Sequence, residues 1–257
     1  MLFFTFFLLL PTLLTSPTFA KSVRIIGGNT AFAGQFPFAA AIYKRTNDGT
    51  FFCVGSLLNH EWILTAGQCV DGASLFTIRL GSNSLSANDE NAIRLSTDTF
   101  VLHPKYDPLT LENDIGLIKF RMAISYTTYI KPVDFLPHSD LVPFTGTVAL
   151  GWGQTDDETP GVVDDLRWVS LTVLSNEECQ SIYGHNIYEN MVCAEGNYNE
   201  GTCKGDSGSP LVQNIGGYLM QVGVASFLSA KGCESTDPSG YTRVYPYSEW
   251  IYNVTGM

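Results

Sequence analysis

Gly205-Asp206-Ser207-Gly208-Ser209-Pro210 is the stretch whose reading decides how this chain folds. Two earlier segments give it meaning: Leu64-Thr65-Ala66-Gly67-Gln68-Cys69 and Asn113-Asp114-Ile115-Gly116-Leu117-Ile118. Ser207 is a candidate nucleophile and Asp114 a candidate carboxylate. Around them the apolar runs are short and rich in Val, Ile, Phe, Tyr and Thr, at 38–43, 76–80, 114–120, 147–150, 166–174 and 218–227. Gly, Asn, Asp and Pro separate these runs. That is the pattern of an all-β sandwich or barrel. A short helix is expected over 248–254.

The chain begins with an uncharged apolar stretch that ends in Thr18-Phe19-Ala20, a small residue at the expected cut. Residues 1–20 therefore read as a secretory signal peptide. A membrane anchor is the rival reading, but Pro11, Thr12, Thr15, Ser16 and Pro17 interrupt the run short of the roughly 20 apolar residues a span needs. Two of the 14 basic residues, Lys21 and Arg24, lie before Ile25, so the remainder carries a net charge near −13. Nucleic acid and anionic membrane surfaces are poor partners for such a surface. Asp156-Asp157-Glu158 and Asp164-Asp165 read as a solvated acidic face. Six cysteines in a secreted chain imply three disulfides, with 15 pairings open by counting alone. No Cys-x-x-Cys pair or histidine cluster suggests a metal, and no cofactor motif is present. Asp89 and Glu90 are too few to claim a Ca²⁺ loop. Asn253-Val254-Thr255 is an N-glycan acceptor pattern.

The three quoted segments, in this order, resemble those that carry the Ser-His-Asp triad of chymotrypsin-like serine proteases. Further motifs agree: Ile25-Ile26-Gly27-Gly28, Gly55-Ser56-Leu57-Leu58, Trp62-Ile63-Leu64-Thr65-Ala66, Gly151-Trp152-Gly153 and Gly240-Tyr241-Thr242-Arg243-Val244. The stretch from Ser226-Phe227 to Gly232-Cys233-Glu234 is most similar to the arthropod chymotrypsin and collagenase branch. The resemblance implies two six-stranded antiparallel Greek-key barrels, about 25–140 and 141–257, with the cleft between them. It also implies the pairs Cys53–Cys69, Cys179–Cys193 and Cys203–Cys233, and an activation peptide at 21–24.

At the position where the family carries the histidine base stands Gln68. A serine hydroxyl attacks a carbonyl only when a neighbouring base takes its proton and later hands it to the leaving group. An amide donates and accepts hydrogen bonds but does not titrate. Losing the triad histidine costs on the order of 10⁶ in turnover. The oxyanion hole and binding retain roughly 10³–10⁴ over water. His60, His103, His138 and His185 all lie outside the motif.

The remaining roles follow from the resemblance as well. Cleavage after Arg24 would free Ile25 to pair with Asp206, ordering the backbone N–H groups of Gly205 and Ser207 as an oxyanion hole. The specificity pocket would have Gly201 at its floor, and Ser226 would bond Asp114. Leu228 and Ser239 stand where two glycines usually form the pocket walls. Leucine in such a slot overpacks it, at a cost of about 1–3 kcal/mol. Val54, Gly67 and Ser209 also depart from the family pattern. The expected function is a secreted, non-catalytic protease homologue binding a protease, an inhibitor or a cascade component, after cutting by a trypsin-like protease. The alternative is an active chymotrypsin-like endopeptidase of low turnover.

Overall fold

In the computed structural model the described residues are 28–135 and 139–257. The expected signal peptide, activation peptide, Arg24 and Ile25 lie outside them, as does His138. A two-residue strand, β1 (Asn29–Thr30), comes first. The next seven strands are β2 (Ala39–Thr46), β3 (Gly49–Leu57), β4 (Trp62–Thr65), β5 (Leu75–Leu80), β6 (Ile93–Thr97), β7 (Thr99–Leu102) and β8 (Gly116–Lys119). They form one antiparallel sheet in the order β6-β5-β2-β3-β4-β8-β7. Only Asp98 separates β6 from β7. The chain therefore bends from one edge of the sheet to the other, pairing Thr97 with Phe76 and Thr99 with Lys119. Counted as one bent strand, β6 and β7 give the expected six.

The second half contributes β9 (Gly146–Gly151), β10 (Arg167–Val173), β11 (Met191–Glu195), β12 (Pro210–Ile215), β13 (Tyr218–Phe227) and β14 (Ser239–Arg243). Their order is β10-β11-β14-β13-β12-β9, and β9 pairs back onto β10, which closes a six-stranded barrel. β1 attaches outside this ring through Asn29–Trp168 and Thr30–Arg167. Alternation fills both interiors. Ile42, Leu57, Ile63, Phe76 and Ile78 are fully buried in the first, and Val192, Leu211 and Tyr241 in the second.

Two helices complete the fold. The expected terminal helix is α2, Ser248–Thr255, which follows α1, Asn176–Tyr183. Sequence periodicity missed α1, because Cys179 is its one buried residue. A capping box starts it: Ser175 Oγ accepts from Glu178 N, and the Glu178 carboxylate accepts from Ser175 N. At the other end, His103 of the first barrel packs edge-on against Tyr247 and Trp250, at 5.1 and 5.0 Å. All three disulfides form with the pairing the resemblance implied.

Candidate active site

Each barrel delivers its part of the site on a short connection. Directly after β4 a single 3₁₀ turn, Gly67–Cys69, carries Gln68, and Cys69 is tied to Cys53 on β3. A Cβ on Gly67 would lie 3.0 Å from the Tyr106 ring and 3.1 Å from Ile115 N, so the smallest residue suits this approach. Asp114 precedes β8 and follows Asn113, whose φ is +57°. Ser226 comes from the end of β13.

These residues converge. Asp114 is fully buried. Its Oδ1 accepts from Gln68 N at 2.7 Å. Its Oδ2 accepts from Gln68 Nε2 at 2.7 Å and from Ser226 Oγ at 2.6 Å. The second hydrogen of Gln68 Nε2 goes to Ser226 O at 2.7 Å. Both partners of that nitrogen are acceptors, so the orientation of the amide is fixed: its nitrogen, not its oxygen, faces Asp114. Burial pushes the Asp114 carboxyl above the ordinary aspartate range, opposed by the hydrogen bonds from Ser226 and Gln68. No cation bonds this carboxylate among the described residues.

Lys44 was not anticipated. It stands on β2, nearly buried, and its Nζ donates to Gln68 O at 2.9 Å. Burial lowers its pKa, and the nearby Asp71 carboxylate resists that shift. No sequence signal marks it, since a lysine on a strand ordinarily points to solvent.

The Ser207 loop is fixed from several sides. Ser207 O accepts from Val54 N at 2.9 Å, which ties the loop to the first barrel. Gly208 has φ +83°, and a Cβ there would fall 2.1 Å from Thr65 Oγ1, so only glycine fits. Asp206 is buried and accepts from Gly153 N at 2.7 Å and Cys203 N at 2.9 Å. Burial raises its pKa to about 6 against those two bonds. Gly151 and Gly153 are explained by this carboxylate, because a Cβ on either would lie 2.0 or 2.4 Å from it. Ser209, fully buried, has no partner for its hydroxyl among the described residues.

The pocket region is nearly filled. Leu228 packs on the Cys203–Cys233 disulfide. The Phe227 ring lies close against Gly240, where a Cβ would be 2.1 Å from it, and meets Tyr183 edge-on at 5.3 Å. A Cβ on Gly201 would be 2.8 Å from Ser239 Oγ, which accepts from Thr202 N at 3.2 Å. Between Ser207, Ser226, Phe227 and Leu228 about 10 Å³ remains. That is room for roughly one water, against about 300 Å³ or more in an ordinary ligand pocket.

The acidic run is more than a solvated face. Asp157 accepts from Cys233 N at 2.9 Å and Glu234 N at 3.0 Å, latching its loop to the pocket rim. Asp157, Cys203 and Cys233 lie together, but the two sulfurs are spent in a disulfide and the group suits no metal. Neither described histidine of the first barrel stands in for a base. His60 stacks on Tyr126 at 3.8 Å and bonds Ile124 O, while His103 packs between Tyr247 and Trp250. Asn253 is exposed on α2. Among the described residues no helix is long and apolar enough to cross a membrane, a statement that does not bear on β-barrels.

Known proteins resemble this chain in sequence and fold. The family model described as Trypsin matches residues 25–251. Brachyurin of Leptuca pugilator is 34% identical over 233 residues, spanning 91% of this chain and 99% of brachyurin. Serine protease 1 of Drosophila melanogaster is 33% identical over 247 residues, spanning 94% of this chain and 90% of its own length. The solved structure of HL collagenase superposes with a TM-score of 0.80 at 32% identity, covering 90% of this chain and 98% of its own. With the two barrels, the three disulfides and a match over nearly the whole domain, the chain belongs to the trypsin family.

Proposed function

We propose that this protein is a secreted, non-catalytic member of its family that binds proteins through a protease-like cleft after cleavage at Arg24. One observation carries the reading. Gln68 Nε2 commits both hydrogens, to Asp114 and to Ser226 O, each at 2.7 Å. Gln68 thus reproduces the hydrogen bond an imidazole would make to Asp114, and keeps the buried carboxylate satisfied. It reproduces nothing of the imidazole's acid–base chemistry. Ser207 keeps its proton, and the leaving amine receives none. Leu228 and the residual pocket of about 10 Å³ point the same way, since a bulky substrate side chain has nowhere to go.

A second reading, a slow endopeptidase, is favoured by the retained Asp114–Ser226 bond at 2.6 Å and by the fixed Ser207 loop. A fluorophosphonate probe separates the two. After controlled cutting at Arg24, the first reading predicts no labelling of Ser207 and no peptide hydrolysis above a Ser207→Ala control. Prompt labelling with hydrolysis would establish the second. Restoring Gln68→His alone recovers little activity on this account, because Leu228 still fills the pocket. Recovery requires Leu228→Gly as well.

A further inference from the structure

The donors left over around Ser207 indicate what the cleft holds, an inference that rests on the non-catalytic reading above. In the 203–209 loop the Asp206 N–H is spent on Cys203 O at 3.0 Å, and the Ser209 N–H on Asp206 O at 2.9 Å. The N–H groups of Gly205 and Ser207 meet no acceptor among the described residues, and neither does the Ser207 hydroxyl. Gly205 is left-handed, with φ +98°. Alternate N–H groups in such a turn form a concavity suited to an anion. Lys204, exposed and adjacent to Gly205, brings a cation to the rim of a chain that has 25 acids and 14 bases. The Asp206 and Asp114 carboxylates oppose an anion here, but each is turned to its own inner donors.

A carboxylate exploits this set better than an intact peptide. It offers two oxygens, and its charge-assisted bonds to N–H groups are about twice as strong as those of a neutral carbonyl. The residue that carries the carboxylate must also place its side chain beside Ser207. The space there, about 10 Å³ walled by Phe227 and Leu228, admits a methyl group and no more. We infer that the cleft captures the free C-terminal carboxylate of peptides that end in glycine or alanine, the fragments left by proteases cutting after small residues. Leu228 sets the size limit.

Calorimetric titration of the purified protein, cut at Arg24, with matched peptides tests this. Four ligands share one sequence: a free acid ending in Ala, its C-terminal amide, a free acid ending in Leu, and an amide with an internal Asp. The Ala acid is expected to bind about tenfold or more tighter than its amide, the worth of a charge-assisted bond set. It should exceed the Leu acid by roughly 5- to 100-fold, as overpacking costs imply. Leu228→Gly should abolish the Ala-over-Leu preference and leave the acid-over-amide ratio unchanged. Lys204→Glu, an exposed change that leaves the core untouched, should weaken only the acids, by about two- to fivefold. Equal binding of acid and amide, preference for the internal Asp, or no binding of any peptide at millimolar concentration would each overturn the proposal. The peptides end at the site and offer no bond to cut there. Their ranking therefore stays readable even if the probe experiment shows Ser207 to be reactive.

Discussion

On the proposed reading, Gln68 does two jobs in one side chain: it removes a base and it repairs the hole the base would leave. Asp114 is fully buried and depends on donors from Gln68 and Ser226. Gln68→Ala should therefore destabilise the fold by about 1–3 kcal/mol, the cost of stranding a buried acceptor. Gln68→His should be close to neutral, because a ring N–H can replace the amide donor. Urea unfolding of the two variants beside the parent measures both, and an unaffected Gln68→Ala midpoint would mean that the amide bonds contribute nothing. At this scale the sequence was a partial guide. The identities of Gln68, Asp114, Ser207 and Leu228 stand in recognisable motifs. The bond from Lys44 to Gln68 O joins residues 24 apart in sequence and leaves no local pattern. The seat of Phe227 on Gly240 likewise depends on a contact between strands.

Among the elements, the loop between β5 and β6 carries its own cation. Arg79 is buried, and its guanidinium donates to Ser84 O at 3.0 Å and to Ala87 O at 2.6 Å. Arg79→Met should cost about 2–3 kcal/mol by leaving those carbonyls without their charged donor. A chelator should leave the melting temperature of the parent unchanged. A drop on adding EDTA would show that a metal, rather than Arg79, holds the loop. The strands were legible because each barrel needs an apolar side chain at every second position, and that alternation survives in the sequence. Helix α1 was not, since Asn176–Tyr183 buries only Cys179 and shows no apolar stripe. Its one available signal was the Ser175–Glu178 capping box. The β6–β7 bend rests on the single residue Asp98, too short a break to announce two strands.

For the whole molecule, buried carboxylates set the response to pH. The Asp206 pKa is raised from 3.8 to about 6, and Asp114 is raised as well. An aspartate with a folded pKa above its unfolded value binds protons more readily when folded. Its penalty is therefore complete above about 6 and is relieved as the pH falls from there toward 3.8. Exposed carboxylates such as Asp98 and Asp164 are shifted down by their hydrogen bonds, so their contribution is lost only at still lower pH. The uncut protein should thus gain stability between about pH 7 and 5 and lose it below about 4. If the amino group freed at Ile25 pairs with Asp206, cutting at Arg24 should flatten the upper part of that curve. Thermal melts of cut and uncut protein across the range read this directly, and identical curves would argue against the pairing.

At the centre stands a single physical claim: an amide that cannot titrate occupies the place of the proton carrier. The most direct measurement compares the cut protein with its Ser207→Ala twin in hydrolysis of an unstructured polypeptide, prepared identically so that contaminants cancel. The account predicts equal, background rates for the two. A rate well above background that disappears in the Ser207→Ala protein would contradict it.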